Sequence, residues 1–309
     1  MTQKKLIIIL SSFSIFLIVI YLLTFLDLYT VKPKKITSAL LNPNYRDSIS
    51  SIRLSKNNKS LIFYKANKNI WLGKIDENLN TSFTFILEKE KIQNFLNIAS
   101  KIRTLQPISA KNFEKEEVFG FSDSDSFVIE FFLPDGSISS TLIIGKNNFS
   151  GKKIFIKTEK SAVYEIEDDL FPYLSVAEKQ WAFMNFIPAL NFSEKDIQQI
   201  RFLSDEHSFF IKPSNEKFSN TVHSIFSLRG GNIVSTEDAV GQQIAEIYFE
   251  TGYSDIIKLK IVKQSDEKFY IIPLCTFHDS VMNEIAKQLS YALEISNWTY
   301  DKLLNSIKY

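Results

Sequence analysis

The residues in this chain that could carry chemistry are few and stand apart. Three histidines and one cysteine occur among 309 residues. His278 precedes Asp279, so the two could orient one another as a base and its carboxylate partner, or His278 could cap a helix start. His207 falls in a polar turn, and His223 lies between Val222 and Ser224. None has a second metal-ligand type four residues on, and no serine occupies a strained elbow sequence. The three histidines therefore read as structural or surface residues. Cys275 would be a nucleophile only beside a histidine base and an oxyanion site. Flanked by Leu274 and Thr276, it reads as a small buried hydrophobe.

Asp123 and Asp125, interleaved with Ser122, Ser124 and Ser126, form an oxygen-rich stretch resembling a calcium loop. The glycine hinge and closing glutamate of such a loop are missing, so a solvated turn is expected. Gly230-Gly231 lacks the further glycine, lysine and helix start of a phosphate loop and reads as a β-turn. The Lys/Glu run at 111–117 reads as a solvated connector. This reading assigns no catalytic residue, no cofactor and no metal ligand.

Composition narrows the partners. The chain holds 36 basic and 35 acidic residues, a net charge of +1, which gives no broad attraction to nucleic acid. Five of the basic residues are arginines (Arg46, Arg53, Arg103, Arg201 and Arg229), which argues against recognition of phosphate by paired guanidinium forks. One cysteine excludes an internal disulfide, so an apolar core rich in the 27 Phe and 12 Tyr must hold the fold.

Stepping along the chain, the strongest pattern is the apolar run Leu6–Leu26, interrupted only by Ser11, Ser12, Ser14 and Thr24. At about 1.5 Å per residue it would span roughly 31 Å, close to the thickness of a bilayer core. No small-residue cleavage site follows, and no lipidation cysteine, so an uncleaved transmembrane helix is expected. Lys4 and Lys5 before it and Lys32, Lys34 and Lys35 after it nearly balance. A single N-terminal span with a long C-terminal part favours the inner membrane with the C-terminal domain outside the cytoplasm.

The expected fold class is α+β: a transmembrane helix followed by two related units of antiparallel sheet plus helix. The expected boundaries are a cytoplasmic tail at 1–5, the span at 6–26, a linker at 27–46, a first unit at 47–190 and a second at 191–309. In the first unit, strand alternation at 49–64 and 70–72 gives way to a helix carrying Ile92, Phe95, Leu96, Ala99 and Ile102. A hairpin follows, Phe127–Leu133 and Ile138–Ile144 around Pro134-Asp135-Gly136, and then a second over 153–166. Ser175 and Glu178 at capping-box spacing predict a helix toward Trp181. The pattern then restarts with strands at 196–202 and 209–212, a helix over 236–246, strands at 247–250, 256–262 and 269–273, and a helix over 279–293.

The stretch Val118-Phe119-Gly120-Phe121, then Phe127–Leu133, Asp135-Gly136 and Leu142–Lys146 ending in Ile-Gly-Lys, resembles a bacterial family, number 4340 among the domains of unknown function. The resemblance covers roughly Ile49–Trp181, with a weaker echo to about Leu293. The chain departs from the family in having Phe121 where Leu is usual, and Glu-Lys-Gln-Trp where an Arg-rich step is common. The resemblance carries over no catalytic residue. It implies an accessory protein of a gliding-motility-type ABC transport system, here a non-enzymatic, single-span envelope protein docking on transporter subunits. An anchored module binding an envelope glycan or peptide is the alternative. A hydrolase comes third and would need His278 or Cys275 beside an acid in a cleft.

Overall fold

The computed structural model describes residues 12–22, 36–76, 82–109, 116–122, 124–157 and 163–307. The first described element, helix α1, covers residues 12–22. At about 1.5 Å per residue it reaches roughly half of a ~30 Å hydrocarbon layer. No helix among the described residues is long and apolar enough to cross a membrane. The transmembrane helix over Leu6–Leu26 is therefore corrected to a short helix over 12–22, and residues 6–11 and 23–26 lie outside the described residues. The inner-membrane placement loses its support with it. The tail at 1–5 and residues 27–35 of the linker also lie outside the described residues.

In place of the expected class stand two mostly antiparallel sheets with helices. The first sheet takes its strands from β1 (Ile36–Ser38), β2 (Ser51–Lys56), β3 (Lys59–Lys65), β4 (Trp71–Asp76), β5 (Thr84–Ile86) and β6 (Arg103–Ser109), and from β7 (Phe127–Phe132), β8 (Ile138–Asn147), β9 (Lys153–Lys157) and β10 (Val163–Glu167). Helix α2 (Lys89–Ser100) precedes β6, and a single turn, α3 (Glu116–Phe119), precedes β7. The second sheet is built from β11 (Ile197–Ser204), β12 (Ser208–Ile211), β13 (Asn232–Ser235), β14 (Gln242–Thr251), β15 (Ile256–Lys263), β16 (Lys268–Thr276) and β17 (Tyr291–Ser296). Helices α4 (Phe218–Ser227), α5 (Ser280–Lys287) and α6 (Asn297–Ile307) complete it.

The second sheet runs β12-β11-β14-β15-β16-β17-β13, and part of the first runs β3-β2-β7-β8-β9-β10-β6. Chain order within the two series is the same, with α2 leading into β6 as α4 leads into β13. The first sheet extends this plan by β4 and β5 beyond β3 and by β1 beyond β6.

Local sequence explains most of these elements. Alternation buries Ile52 and Leu54 of β2 and Phe127, Ile129 and Phe131 of β7 on one face. Asn57 and Asn58, at φ 51° and 61°, turn β2 into β3 as the twist of a two-residue hairpin requires. The Pro134-Asp135-Gly136 turn joins β7 to β8, with Gly136 N–H donating to Leu133 O. In α2, Ile92, Phe95, Leu96 and Ala99 face the core, whereas Ile102 falls past the helix end and is exposed.

Three expected helices are corrected. After Ser175 the chain makes a single 3-10 turn, Glu178–Gln180, and Ser175 Oγ accepts from the nearby Ala177 N–H. Trp181 is drawn into the core instead, where Glu88 N–H donates to its carbonyl. The helix expected over 236–246 is a turn followed by β14, whose buried Ala245, Ile247 and Phe249 alternate with period two along the ladder with β15. The helix expected over 279–293 stops at Lys287, and Tyr291–Ser296 become a strand paired with β16 and β13. Helices α4 and α6 were not anticipated.

The connector over 181–192 stitches the sheets together: Ala182 bridges to Leu87 and Asn185 bridges to Arg229. A shared apolar cluster unites Ile70, Leu72 and Ile86 with Leu190, Phe277, Met282 and Ile285. Two reciprocal bonds seal the same seam, from Ser290 N–H to Thr84 O at 3.0 Å and from Thr84 N–H to Ser290 Oγ at 2.9 Å.

Candidate functional site

A cleft of about 510 Å³ opens along that seam. One wall is the β3–β4 turn. Asn67 Oδ1 accepts from Asn69 N–H at 2.8 Å and Ile70 N–H at 2.9 Å, which folds Asn67–Ile70 into a tight polar loop. Asn67 Nδ2 also reaches Met282 Sδ at 3.6 Å, tying the loop to α5 of the other sheet. Lys89, the first residue of α2, places Nζ 3.4 Å from Asn69 Oδ1. Ala189, Asn191 and Phe192 of the connector close the far side, and Trp71, Ile86 and Met282 form the apolar floor. Among the described residues no Asp or Glu lines the cleft, so the charged groups on its walls are Lys68 and Lys89.

A larger groove, about 880 Å³, lies between the β11–β12 turn and α6. Phe202 and Phe209 stack at 5.1 Å between ring centroids, and with Ile244, Tyr300, Leu304 and Ile307 they make its apolar floor. Ser204, Asp205, Glu206, His207 and Ser208 form its rim. This is where the structure puts His207. Its Nδ1 stands 3.9 Å from Glu206 Oε2 on the surface.

The other sequence candidates are spread over the fold. His223 is exposed on α4, with Nδ1 3.1 Å from Glu194 Oε1. The His278–Asp279 pair is divided between two tasks. Asp279 caps α5 by accepting from Met282 N–H at 2.8 Å, and His278 donates its backbone N–H to Asp255 Oδ1 at 2.7 Å. The cap is thus the aspartate and not the histidine. Asp125 accepts from Ser122 Oγ at 2.9 Å within a turn, and Asp123 lies outside the described residues, as do residues 111–115 of the Lys/Glu run. Gly230 and Gly231 donate their amides to Met184 O and Glu294 O, both at 2.8 Å, and so fasten the connector to β17. Among the described residues no group of three or more His, Cys, Asp and Glu is placed to hold a metal.

Cys275 sits on β16 with its thiol pushed up to about 12 by burial. Burial, and then the neighbouring Cys275, also push the Tyr291 phenol up, and that hydroxyl has no hydrogen-bond partner among the described residues. An unfolded thiol ionises near 9.0, so it loses its proton before the native one does as pH rises. The contribution of the neutral, partly buried thiol to stability is therefore intact below about 9 and lost as pH climbs toward about 12. Thiol alkylation of the native chain at about pH 8 should be at least ~100-fold slower than of the urea-unfolded chain. Comparable rates would show an accessible, activated thiolate instead.

Charges elsewhere are paired along the outer face of the second sheet. Lys258 Nζ meets Glu246 at 2.6 Å, and the Arg201 guanidinium lies 4.2 Å from the Tyr248 ring centroid. The cleft residues Asn67, Lys68, Asn69 and Lys89 were legible in the sequence only as turn and helix-surface residues. Nothing local signals that the connector and α5 close over them.

No family model matches the chain, and no curated protein matches it.

Proposed function

We propose that this chain is a non-catalytic accessory protein that docks a segment of a partner protein. The subunits of an ABC-type transport system are the partner class implied by the resemblance to family 4340. The observation that carries this reading is the groove between the β11–β12 turn and α6, with an apolar floor and Asp205 and Glu206 on its rim. Such a surface complements a segment that sets apolar side chains beside Lys or Arg: the floor supplies the area and the acidic rim selects the charge. The histidines and Cys275 support the same reading, being engaged in surface pairs, turns and packing.

Crosslinking the tagged full chain in cells, followed by purification, tests the proposal. A transport permease or ATPase subunit should be recovered with the natural chain. Recovery should fall about tenfold with the Asp205→Lys, Glu206→Lys double variant, whose changes are confined to an exposed turn. Absence of any such subunit, or recovery undiminished in the variant, would sink the reading.

A further inference from the structure

We propose that the cleft along the seam between the two sheets binds an acidic saccharide, an activity separate from partner docking at the groove. The cleft carries uncompensated charge. Lys68 and Lys89 both line the cleft, neither is paired with a carboxylate among the described residues, and no acid lines the wall opposite them. Two lysines lining one concavity raise the local potential and select an anion.

The polar groups that remain free define what carries that anion. Asn67 is spent on its own turn and on Met282, whereas Asn191 and the Nδ2 of Asn69 have no partner among the described residues. Planar amides that both donate and accept suit a scaffold of hydroxyls. Trp71, Ile86, Phe192 and Met282 supply an apolar wall for the C–H face of a sugar ring. No arginine lines the cleft, so there is no bidentate fork of the sort that favours phosphate. A volume of about 510 Å³ suits a small oligosaccharide unit.

The walls come from both sheets. Asn67–Trp71 and Lys89 belong to the first, Met282 to the second, and Asn191 and Phe192 to the connector. A ligand seated there would cross-link the seam, so binding should also raise the melting temperature.

Calorimetric titration of the full chain tests the proposal. The acidic probes are a galacturonic acid disaccharide and a disaccharide containing N-acetylmuramic acid; the controls are cellobiose, inorganic phosphate and an aspartate-rich tripeptide. At least one acidic disaccharide should bind with a Kd of about 1 mM or tighter, more tightly than every control. The Lys68→Ala, Lys89→Ala double variant should weaken that binding about tenfold, and Asn191→Gly, which removes the amide but tolerates the φ of 56°, should also weaken it. Both lysines are exposed, and glycine adopts the Asn191 backbone conformation at φ 56° without strain, so both variants should keep the melting temperature of the unliganded natural chain. No binding of either acidic disaccharide, binding unchanged in the lysine variant, or equal binding of cellobiose, phosphate or the peptide would each overturn it.

Discussion

Replacing Trp181 by alanine is expected to lower unfolding stability by about 4 kcal/mol or more, a large share of what a domain of this kind possesses. The indole is fully buried and is the hub of an aromatic cluster. Its ring centroids lie 4.7 Å from Phe63, 5.6 Å from Phe95 and 5.9 Å from Tyr173. Its Nε1 donates to Ser175 O at 2.8 Å, so truncation also removes a part-buried hydrogen bond, worth about 1 kcal/mol more. The position matters as much as the volume, because Trp181 heads the connector that bridges the two sheets through Leu87–Ala182 and Asn185–Arg229. Trp181→Phe keeps most of the packing and should lose roughly half as much. Urea unfolding of both variants, followed by far-ultraviolet circular dichroism, checks this. A loss below about 1 kcal/mol for alanine would show that the cluster relaxes around the cavity.

Gly145→Ala is expected to cost about 3 kcal/mol although it adds one methyl group. A Cβ at this position would lie 2.0 Å from Phe119 O and 3.0 Å from the Phe121 ring. The obstacle is backbone, which cannot rotate away as a side chain can. Gly120 makes the reciprocal approach, at φ +76°, where a Cβ would meet Lys146 N at 2.8 Å. Val118-Phe119-Gly120-Phe121 and Ile144-Gly145-Lys146 are thus two halves of one clasp that holds α3 and its following loop against β8. The role of these two motifs here is architectural. Chemical denaturation of Gly145→Ala checks the magnitude; stability within about 0.5 kcal/mol of the natural chain would mean that the loop shifts freely.

Legibility in the sequence followed the range of the forces involved. The hairpin of β7 and β8 was readable because period-two alternation and a Pro-Asp-Gly turn are local features, and α2 because its apolar stripe repeats over several turns. Misreadings fell where short apolar runs suit either period. Tyr291-Ala292-Leu293 continues the stripe of α5 on paper, yet each of the three pairs with β13 in the sheet. Gln242–Glu246 likewise reads as helix until the ladder with β15 decides it. The run from Leu6 to Leu26 shows the same limit, since apolar composition set the expectation of a span whereas the described helix covers 12–22.

The candidate sites were the least legible part. By itself the sequence determined that histidines and cysteine are scarce and scattered, that charge is balanced, that no disulfide braces the fold, and where the main hairpins and the α2 helix lie. Tertiary structure decided that Asn67 meets Met282 across the seam, that Lys68 and Lys89 share a cleft with Asn191, and that Asp205 and Glu206 rim a groove floored by α6. The physical reason is one of distance along the chain. Alternation, turns and caps are settled by neighbours a few residues apart, whereas a cleft exists only once strands and connectors more than a hundred residues apart have packed.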